Sequence, residues 1–212
     1  MICGVDEAGR GPVIGPLVVA GVLVDEEGLG RLVEMGVRDS KRHTPVQRER
    51  LYREITAAFR WRVLKIEPDE LDSLMARSSL NEIEADAFAS VIEGLAPETA
   101  YVDAADISCS SFASQILERL ERRPQRLVVE HRADERYPVV SAASIVAKVE
   151  RDREIKRLHT VYGDFGSGYP SDEKTLHFLE HYFREHRQLP VCARKRWKTA
   201  QRVSNQRLED FY

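Results

Sequence analysis

Two apolar runs, Ile2–Ala8 and Leu17–Val24, open the chain, and the stretch between them holds Gly9, Gly11, Pro12, Gly15 and Pro16. Short apolar segments separated by glycine and proline read as two strands joined through a turn region. Thr44-Pro45-Val46-Gln47 has the composition of a helix start. Thr44 can cap, Pro45 suits the first helical position, and Gln47 closes a capping box. Leu51, Tyr52, Ile55 and Phe59 continue at helical spacing, and Arg60–Ile66 then alternates as a third, half-exposed strand. Pro68–Met75 and Glu82–Glu93 read as helices, the second capped by Asn81 with Glu84 and closed by Gly94. Ala100–Val102 is a short strand ending at Asp103, Phe112–Leu120 a helix, and Leu127–Val129 another strand. The longest helical segment runs from about Ser141 to Tyr162 and stops at Gly163. Its small residues Ala142, Ala143, Ser144 and Ala147 permit close packing on a sheet. A loop follows, Gly163 to Pro170, then a helix from Ser171 and a basic, helix-prone end.

Strands that open as a meander and then alternate with helices predict an α/β fold with a mixed sheet. The 212 residues, 42% hydrophobic and 32% charged, suit one core with an extension. No apolar run is long enough to span a bilayer, and the N-terminus lacks the basic start and apolar stretch of a signal peptide. A cytoplasmic location is expected. Cys3, Cys109 and Cys192 lie far apart without metal-ligand spacing, which argues against a disulfide framework and a zinc site. The net charge of −3 is unevenly spread: residues 171–212 carry nine Lys/Arg against six Asp/Glu, and the rest 23 against 29. An acidic body joined to a basic tail fits a carboxylate metal site accompanied by a phosphate-binding surface.

Four acids stand out by context. Asp6 and Glu7 end the first strand, Asp103 ends the short strand after Val102, and Asp134 lies between a strand and the long helix. Functional groups gather at strand ends in open α/β sheets. Carboxylates collected there repel each other unless a hard cation occupies the cluster, and oxygen-only ligation points to Mg²⁺ or Mn²⁺. Adjacent Asp6 and Glu7 face opposite ways in a regular strand, so one must reach round where Gly9 lets the strand break. Composition does not choose between Asp103 and Asp106. Gly9-Arg10-Gly11-Pro12 allows close backbone approach to a ligand, with Arg10 adding charge for phosphate. Asp39-Ser40-Lys41, before a capped helix, reads either as a phosphate contact or as a loop.

Together these segments resemble the type 2 ribonuclease H family (ribonuclease HII), in its archaeal form. The match runs in order through Gly4-Val5-Asp6-Glu7-Ala8-Gly9-Arg10-Gly11-Pro12, Gly15-Pro16, Asp39-Ser40-Lys41 and Tyr101-Val102-Asp103. It resumes at Ala133-Asp134, continues from Val140 to Lys148 and through Arg151-Asp152, and ends at Gly168-Tyr169-Pro170. The resemblance implies a ribonuclease H-like five-stranded mixed sheet flanked by helices over residues 1–168, with a helical basic extension over 169–212. It implies Asp6, Glu7, Asp103 and Asp134 as catalytic and metal-holding carboxylates. Gly9, Arg10 and Gly11, with Tyr169, match the elements that sense the 2′-hydroxyl at an RNA–DNA junction, and Lys41 a backbone-phosphate contact. The implied activity is hydrolysis, assisted by two Mg²⁺ or Mn²⁺ ions, of the RNA strand of RNA–DNA hybrids and at ribonucleotides embedded in DNA. The ends left are 5′-phosphate and 3′-hydroxyl, and the working form implied is a monomer.

Arg194-Lys195-Arg196-Trp197-Lys198 resembles a basic-aromatic segment near the end of archaeal-type members. It reads as exposed basic residues for phosphates with Trp197 packed onto the body. The last eight residues resemble a sliding-clamp-binding peptide, with Leu208, Phe211 and Tyr212 spaced as its apolar anchors and Asn205 in place of the leading Gln. Two rival readings follow from the same residues. One is another nuclease of the ribonuclease H-like fold, which would have no 2′-hydroxyl to sense. The other is a non-catalytic, clamp-tethered hybrid-binding adaptor, which gains nothing from concentrating acids beside phosphates.

Overall fold

The computed structural model describes residues 1–37, 43–106 and 108–205. Strands β1 (Ile2–Ala8), β2 (Leu17–Val24), β3 (Arg60–Ile66), β4 (Thr99–Asp103) and β5 (Arg126–Glu130) form one sheet in the order β3-β2-β1-β4-β5. β1 and β2 are antiparallel, with Ile2 opposite Val24 and Ala8 opposite Val18. β4 runs parallel to both β1 and β5. This is the expected mixed sheet, and its parallel half aligns the C-terminal ends of β1, β4 and β5. The helices described are α1 (Glu26–Met35), α2 (Pro45–Ala58), α3 (Pro68–Leu74), α4 (Leu80–Leu95), α5 (Cys109–Arg119), α6 (Ala133–Arg136), α7 (Pro138–Tyr162), α8 (Glu173–His186) and α9 (Lys198–Asn205). No helix among the described residues is long and apolar enough to cross a membrane.

Several element ends differ from expectation for local reasons. The Thr44–Gln47 capping box of α2 is present, but α4 begins earlier than its sequence suggests. Ser79, not Asn81, is its cap: Ser79 Oγ accepts the Glu82 N–H at 3.3 Å and Glu82 Oε2 accepts the Ser79 N–H at 2.7 Å. Gly94 lies inside that helix and Ala96 closes it in the left-handed region. A Cβ at Gly94 would overlap the Arg62 guanidinium, so the glycine there makes room for a side chain. The helix α1 is not among the elements expected from the sequence, where Gly28 and Gly30 lower its propensity. It forms around its ends, with Asp25 Oδ1 accepting the Gly28 N–H at 2.8 Å and Gly36 closing the last turn at φ 76°.

The contacts divide the described residues into two compact units that interleave along the chain. The first comprises residues 1–8, 18–65 and 78–150. Its core sets Val18, Ala20, Val22 and Val24 of β2 together with Leu32, Leu51, Ile55, Val140, Ala143 and Val146. The beginning of α7 meets β1 at backbone distance: a Cβ on Gly4 would overlap the Val139 carbonyl and the Val140 nitrogen. The small residues that follow on α7, Ala142, Ala143 and Ala147, are buried in the same core. The second unit comprises residues 9–17, 66–77 and 151–212 and has its own core of Val13, Ile14, Ile155, Leu158, Phe165, Leu179 and Val203. The boundary read at residue 168 from the sequence falls inside this unit.

The Gly4 contact sets one test of the packing. Gly4→Val should lower stability by about 1–3 kcal/mol or prevent folding, since overpacking here meets backbone that cannot rotate away. Gly30→Ala, on an exposed turn of α1 with nothing within 4 Å, should instead stabilise by up to about 1 kcal/mol. Thermal or urea melts of the two variants distinguish these signs.

Candidate active site

Parallel pairing builds the first part of the site. Val5 of β1 is opposite Val102 of β4, so the next residue along each strand is an aspartate, Asp6 and Asp103. Asp103 in turn pairs with Glu130, the last residue of β5. The chain then turns through Arg132, held in the left-handed region at φ 57°, and enters the single turn of α6. The Arg132 N–H donates to Asp103 Oδ1 at 3.0 Å, which anchors the turn to the end of β4. Asp134 lies in that turn and is buried. One carboxylate oxygen each from Asp6, Asp103 and Asp134 lies within 4.8 Å of the others. The choice that composition leaves open is thereby made, with Asp103 in the cluster.

Glu7 stands beside this set, and its main-chain N–H donates to Asp6 Oδ1 at 2.8 Å. Asp6 itself is buried. Burial raises its pKa well above the ordinary aspartate range, and the charges of Glu7 and Asp103 add to the rise. A hydrogen bond from Ser144 and the charge of Lys148 act in the opposite direction. Lys148 Nζ also donates to Ser144 Oγ at 2.7 Å, so the two residues, one helical turn apart on α7, act on Asp6 as a chain. The sequence reading missed both roles, although an i, i+4 pair of Ser and Lys on a small-residue helix face was there to be seen. Three oxygen ligands, two of them buried, together with an aspartate pushed towards its neutral form, fit a divalent cation. A cation supplies the compensation that Ser144 and Lys148 provide only in part.

The second unit assembles the glycine-rich turn. Gly9 has φ 88°, and a Cβ on it would sit 2.6 Å from the Pro16 carbonyl oxygen, so glycine is required there. The Val13 and Ile14 N–H groups both donate to the Gly168 carbonyl, at 2.8 and 3.2 Å. That strap brings Tyr169 to the turn: a Cβ on Gly11 would lie 3.6 Å from the Tyr169 ring. Arg151 sits over the same ring, 5.1 Å from its centre, and donates from Nη2 to the Ser167 carbonyl at 2.8 Å. Tyr169 nevertheless keeps 39% of its surface exposed. Gly9, Arg10, Gly11 and Tyr169 are thus gathered in one place, with Arg151 as an unforeseen member.

The basic segment near the end of the chain departs from expectation. Lys195 and Arg196 are exposed and Trp197 is half-buried, as read from the sequence. Arg194, expected on the surface, is fully buried. Its guanidinium donates to the carbonyls of Gly9 (2.6 Å), Gly15 (2.8 Å) and Arg10 (3.2 Å). A charge run along the sequence carries no information about such acceptors, because all three lie in a distant segment. Lys41, and the tail anchors Leu208, Phe211 and Tyr212, lie outside the described residues.

Comparison with known proteins places these features in a family context. The model of the family described as ribonuclease HII matches residues 3–200. The chain is 47% identical over 205 residues to a ribonuclease HII from Pyrococcus furiosus, covering 95% of this chain and 90% of that one. Among solved structures it is similar to ribonuclease H2 from Pyrococcus horikoshii, with a TM-score of 0.90 and 45% identity over 96% of each chain. It is equally similar to the ribonuclease HII of a PCNA complex from Archaeoglobus fulgidus, with a TM-score of 0.89 and 46% identity over the whole of both chains.

The electrostatics of Asp6 predict how stability depends on pH and metal. A carboxyl whose pKa is raised in the folded state contributes stability that is fully present below its unfolded pKa. That contribution is lost as pH rises through the raised native value. In chelator at neutral pH, Asp6→Asn should therefore melt above the parent protein, and the gain should vanish on acidification below the ordinary aspartate range. Adding Mg²⁺ or Mn²⁺ should raise the melting temperature of the parent much more than that of the variant. Equal metal shifts in both proteins would remove Asp6 from the binding set.

Proposed function

Because the chain belongs to the ribonuclease HII family, we propose that it is a divalent-metal-dependent endonuclease cutting RNA in RNA–DNA hybrids and at ribonucleotides embedded in duplex DNA. The observation that carries the reading is the convergence of Asp6, Asp103 and Asp134, from three separate elements, in a chain that matches the family from residue 3 to residue 200. These three residues would hold Mg²⁺ or Mn²⁺, with Glu7 completing the set. Divalent ions held there would supply activation of the attacking water and charge neutralisation at the leaving 3′-oxygen, chemistry that would leave 5′-phosphate and 3′-hydroxyl ends. Ser144 and Lys148 would orient the Asp6 carboxylate and favour its ionised form against burial and its acidic neighbours. The turn Gly9-Arg10-Gly11 offers main-chain groups to the 2′-hydroxyl, which distinguishes RNA from DNA without reading a base. Tyr169 supplies a half-exposed ring for stacking on the neighbouring sugar, and Lys41 a contact to a backbone phosphate.

A second reading concerns partners. The ribonuclease HII of Archaeoglobus fulgidus has been solved in complex with PCNA, and residues 205–212 resemble a clamp-binding peptide. A sliding clamp is therefore the partner proposed for the C-terminal peptide, through Leu208, Phe211 and Tyr212. Binding of the full chain to a clamp, compared with a chain lacking those eight residues, tests it. Equal binding by the two would exclude the peptide as the anchor.

The central test uses labelled RNA–DNA hybrid, all-DNA duplex and DNA carrying one ribonucleotide, each with Mg²⁺, Mn²⁺ or chelator. The protein should cut only the ribonucleotide-containing duplexes and only with metal, and Asp6→Asn should abolish cutting. Cleavage of all-DNA would indicate another nuclease of this fold, and binding without cleavage under every condition an adaptor. Tyr169→Ala should lower the preference for an RNA–DNA junction about tenfold, the scale of a lost stacking contact, while its melting temperature changes little. Parallel loss of folding and cleavage would make Tyr169 a packing residue only.

A further inference from the structure

We infer that Arg194 is a positioning residue for ribonucleotide recognition, holding the Gly9-Arg10-Gly11 turn in shape through a buried three-pronged clamp. The inference rests on the functional reading above for the part played by that turn.

Arg194 is among the largest fully buried side chains in the protein and carries a charge that is expensive to bury. Three of its side-chain hydrogen bonds converge on one object. Nη2 and Nη1 donate to the carbonyls of Gly9 and Arg10, two consecutive peptide units, while Nε donates to Gly15 at the other end of the turn. A planar guanidinium has its donors in a fixed fork, so meeting acceptors from both ends fixes the distance across the turn. Lysine, with one rotatable ammonium on a flexible stem, cannot impose that spacing.

The orientation of the turn follows from the same bonds. In a trans peptide the C=O and the next N–H point in opposite directions, and no cis peptide bond occurs among the described residues. Drawing the Gly9 and Arg10 carbonyls towards Arg194 turns the N–H groups of Arg10 and Gly11 the other way. Two successive N–H groups on one side form a donor pair suited to a hydroxyl or phosphate oxygen. The Tyr169 ring lies on Gly11, the last residue of this segment. Arg194 thereby acts on recognition through the backbone it holds, without needing to touch substrate.

The clamp is itself braced. The main-chain N–H groups of Lys195 and Arg196 donate to the two carboxylate oxygens of Asp72, at 2.7 and 3.0 Å, and Arg196 Nε donates to the Asp72 carbonyl at 2.9 Å. The Arg194 N–H donates to the Val13 carbonyl at 2.8 Å, and its guanidinium lies 4.7 Å from the centre of the Trp197 ring. Asp72 and Trp197 fix the root and the flank of Arg194 before its donors reach the turn. An arginine used only for surface phosphate contact would need neither brace nor burial.

The test combines an activity measurement with one that does not depend on activity. Arg194→Lys keeps the charge and loses the fork. Hydrogen exchange followed by mass spectrometry should show faster exchange in peptides covering residues 9–16, with peptides of α4 unchanged. On DNA carrying one ribonucleotide, kcat per folded molecule should fall by about tenfold to a hundredfold, the scale set by an ångström of misplacement. KM should stay within about twofold, and the metal-induced rise in melting temperature should match the parent's. If Arg194→Lys gives no cooperative melt, Asp72→Ala removes the brace and should show the same pattern in weaker form. Unchanged exchange over residues 9–16 in whichever variant folds overturns the clamp. Faster exchange with a parental kcat overturns its role in recognition. A parent protein that cuts no ribonucleotide-containing duplex would instead sink the functional reading, while the exchange result would still judge the clamp.

Discussion

The approach of α7 to β1 at Gly4, where no side chain separates a strand from a helix backbone, is the contact on which the carboxylate cluster depends. A helix seated that deeply brings Ser144 and Lys148 within reach of Asp6, two residues further along the strand. Had β1 carried a side chain at position 4, the helix would ride higher and its polar pair would no longer reach the aspartate. Close packing and the electrostatics of the cluster are here one geometric fact, since the absent side chain at Gly4 is what lets the helix backbone at Val139 and Val140 approach the strand.

What that packing produces is an arrangement under tension. Parallel strands end together, so acids at the ends of β1 and β4 are brought side by side, and α6 adds a third. Burial and like charge work against the ionised form of Asp6, while one hydroxyl and one ammonium partly support it. Such a site is poorly satisfied by protein groups alone, and a hard divalent cation is the ligand that relieves it. The stability forgone by concentrating the acids is the counterpart of affinity for metal.

The second unit solves a different problem, which is holding a main chain in an unusual shape. The turn after β1 cannot rely on strand pairing or helix bonds, and Gly9 occupies a conformation that L side chains rarely adopt. Its carbonyls are tied by Arg194, its neighbours Val13 and Ile14 are tied to Gly168, and Tyr169 follows directly along the chain. A main chain with few pairing partners of its own needs its carbonyls held at fixed spacing, and a rigid planar donor suits that task better than a flexible one.

By itself the sequence determined the features that span a few residues. The apolar runs marked β1 and β2, the alternation marked β3, Thr44 with Gln47 marked the start of α2, and acids at strand ends marked the chemistry. Each rests on periodicity or on a hydrogen bond to a near neighbour, so a local pattern is sufficient to reveal it. Context singled out Asp134 between a strand and the long helix, although the single turn of α6 that carries it has too little pattern to be read, and family resemblance supplied the roles of the expected site. Composition left Asp103 and Asp106 open and the resemblance named Asp103; the physical ground for it is tertiary, because it depends on which side chain is brought beside Asp6 on a neighbouring strand. Only tertiary structure buried Arg194, whose acceptor Gly9 lies 185 positions distant. Burial of a charge is decided by the carbonyls that surround it, and the order of residues along the chain does not state which carbonyls those will be.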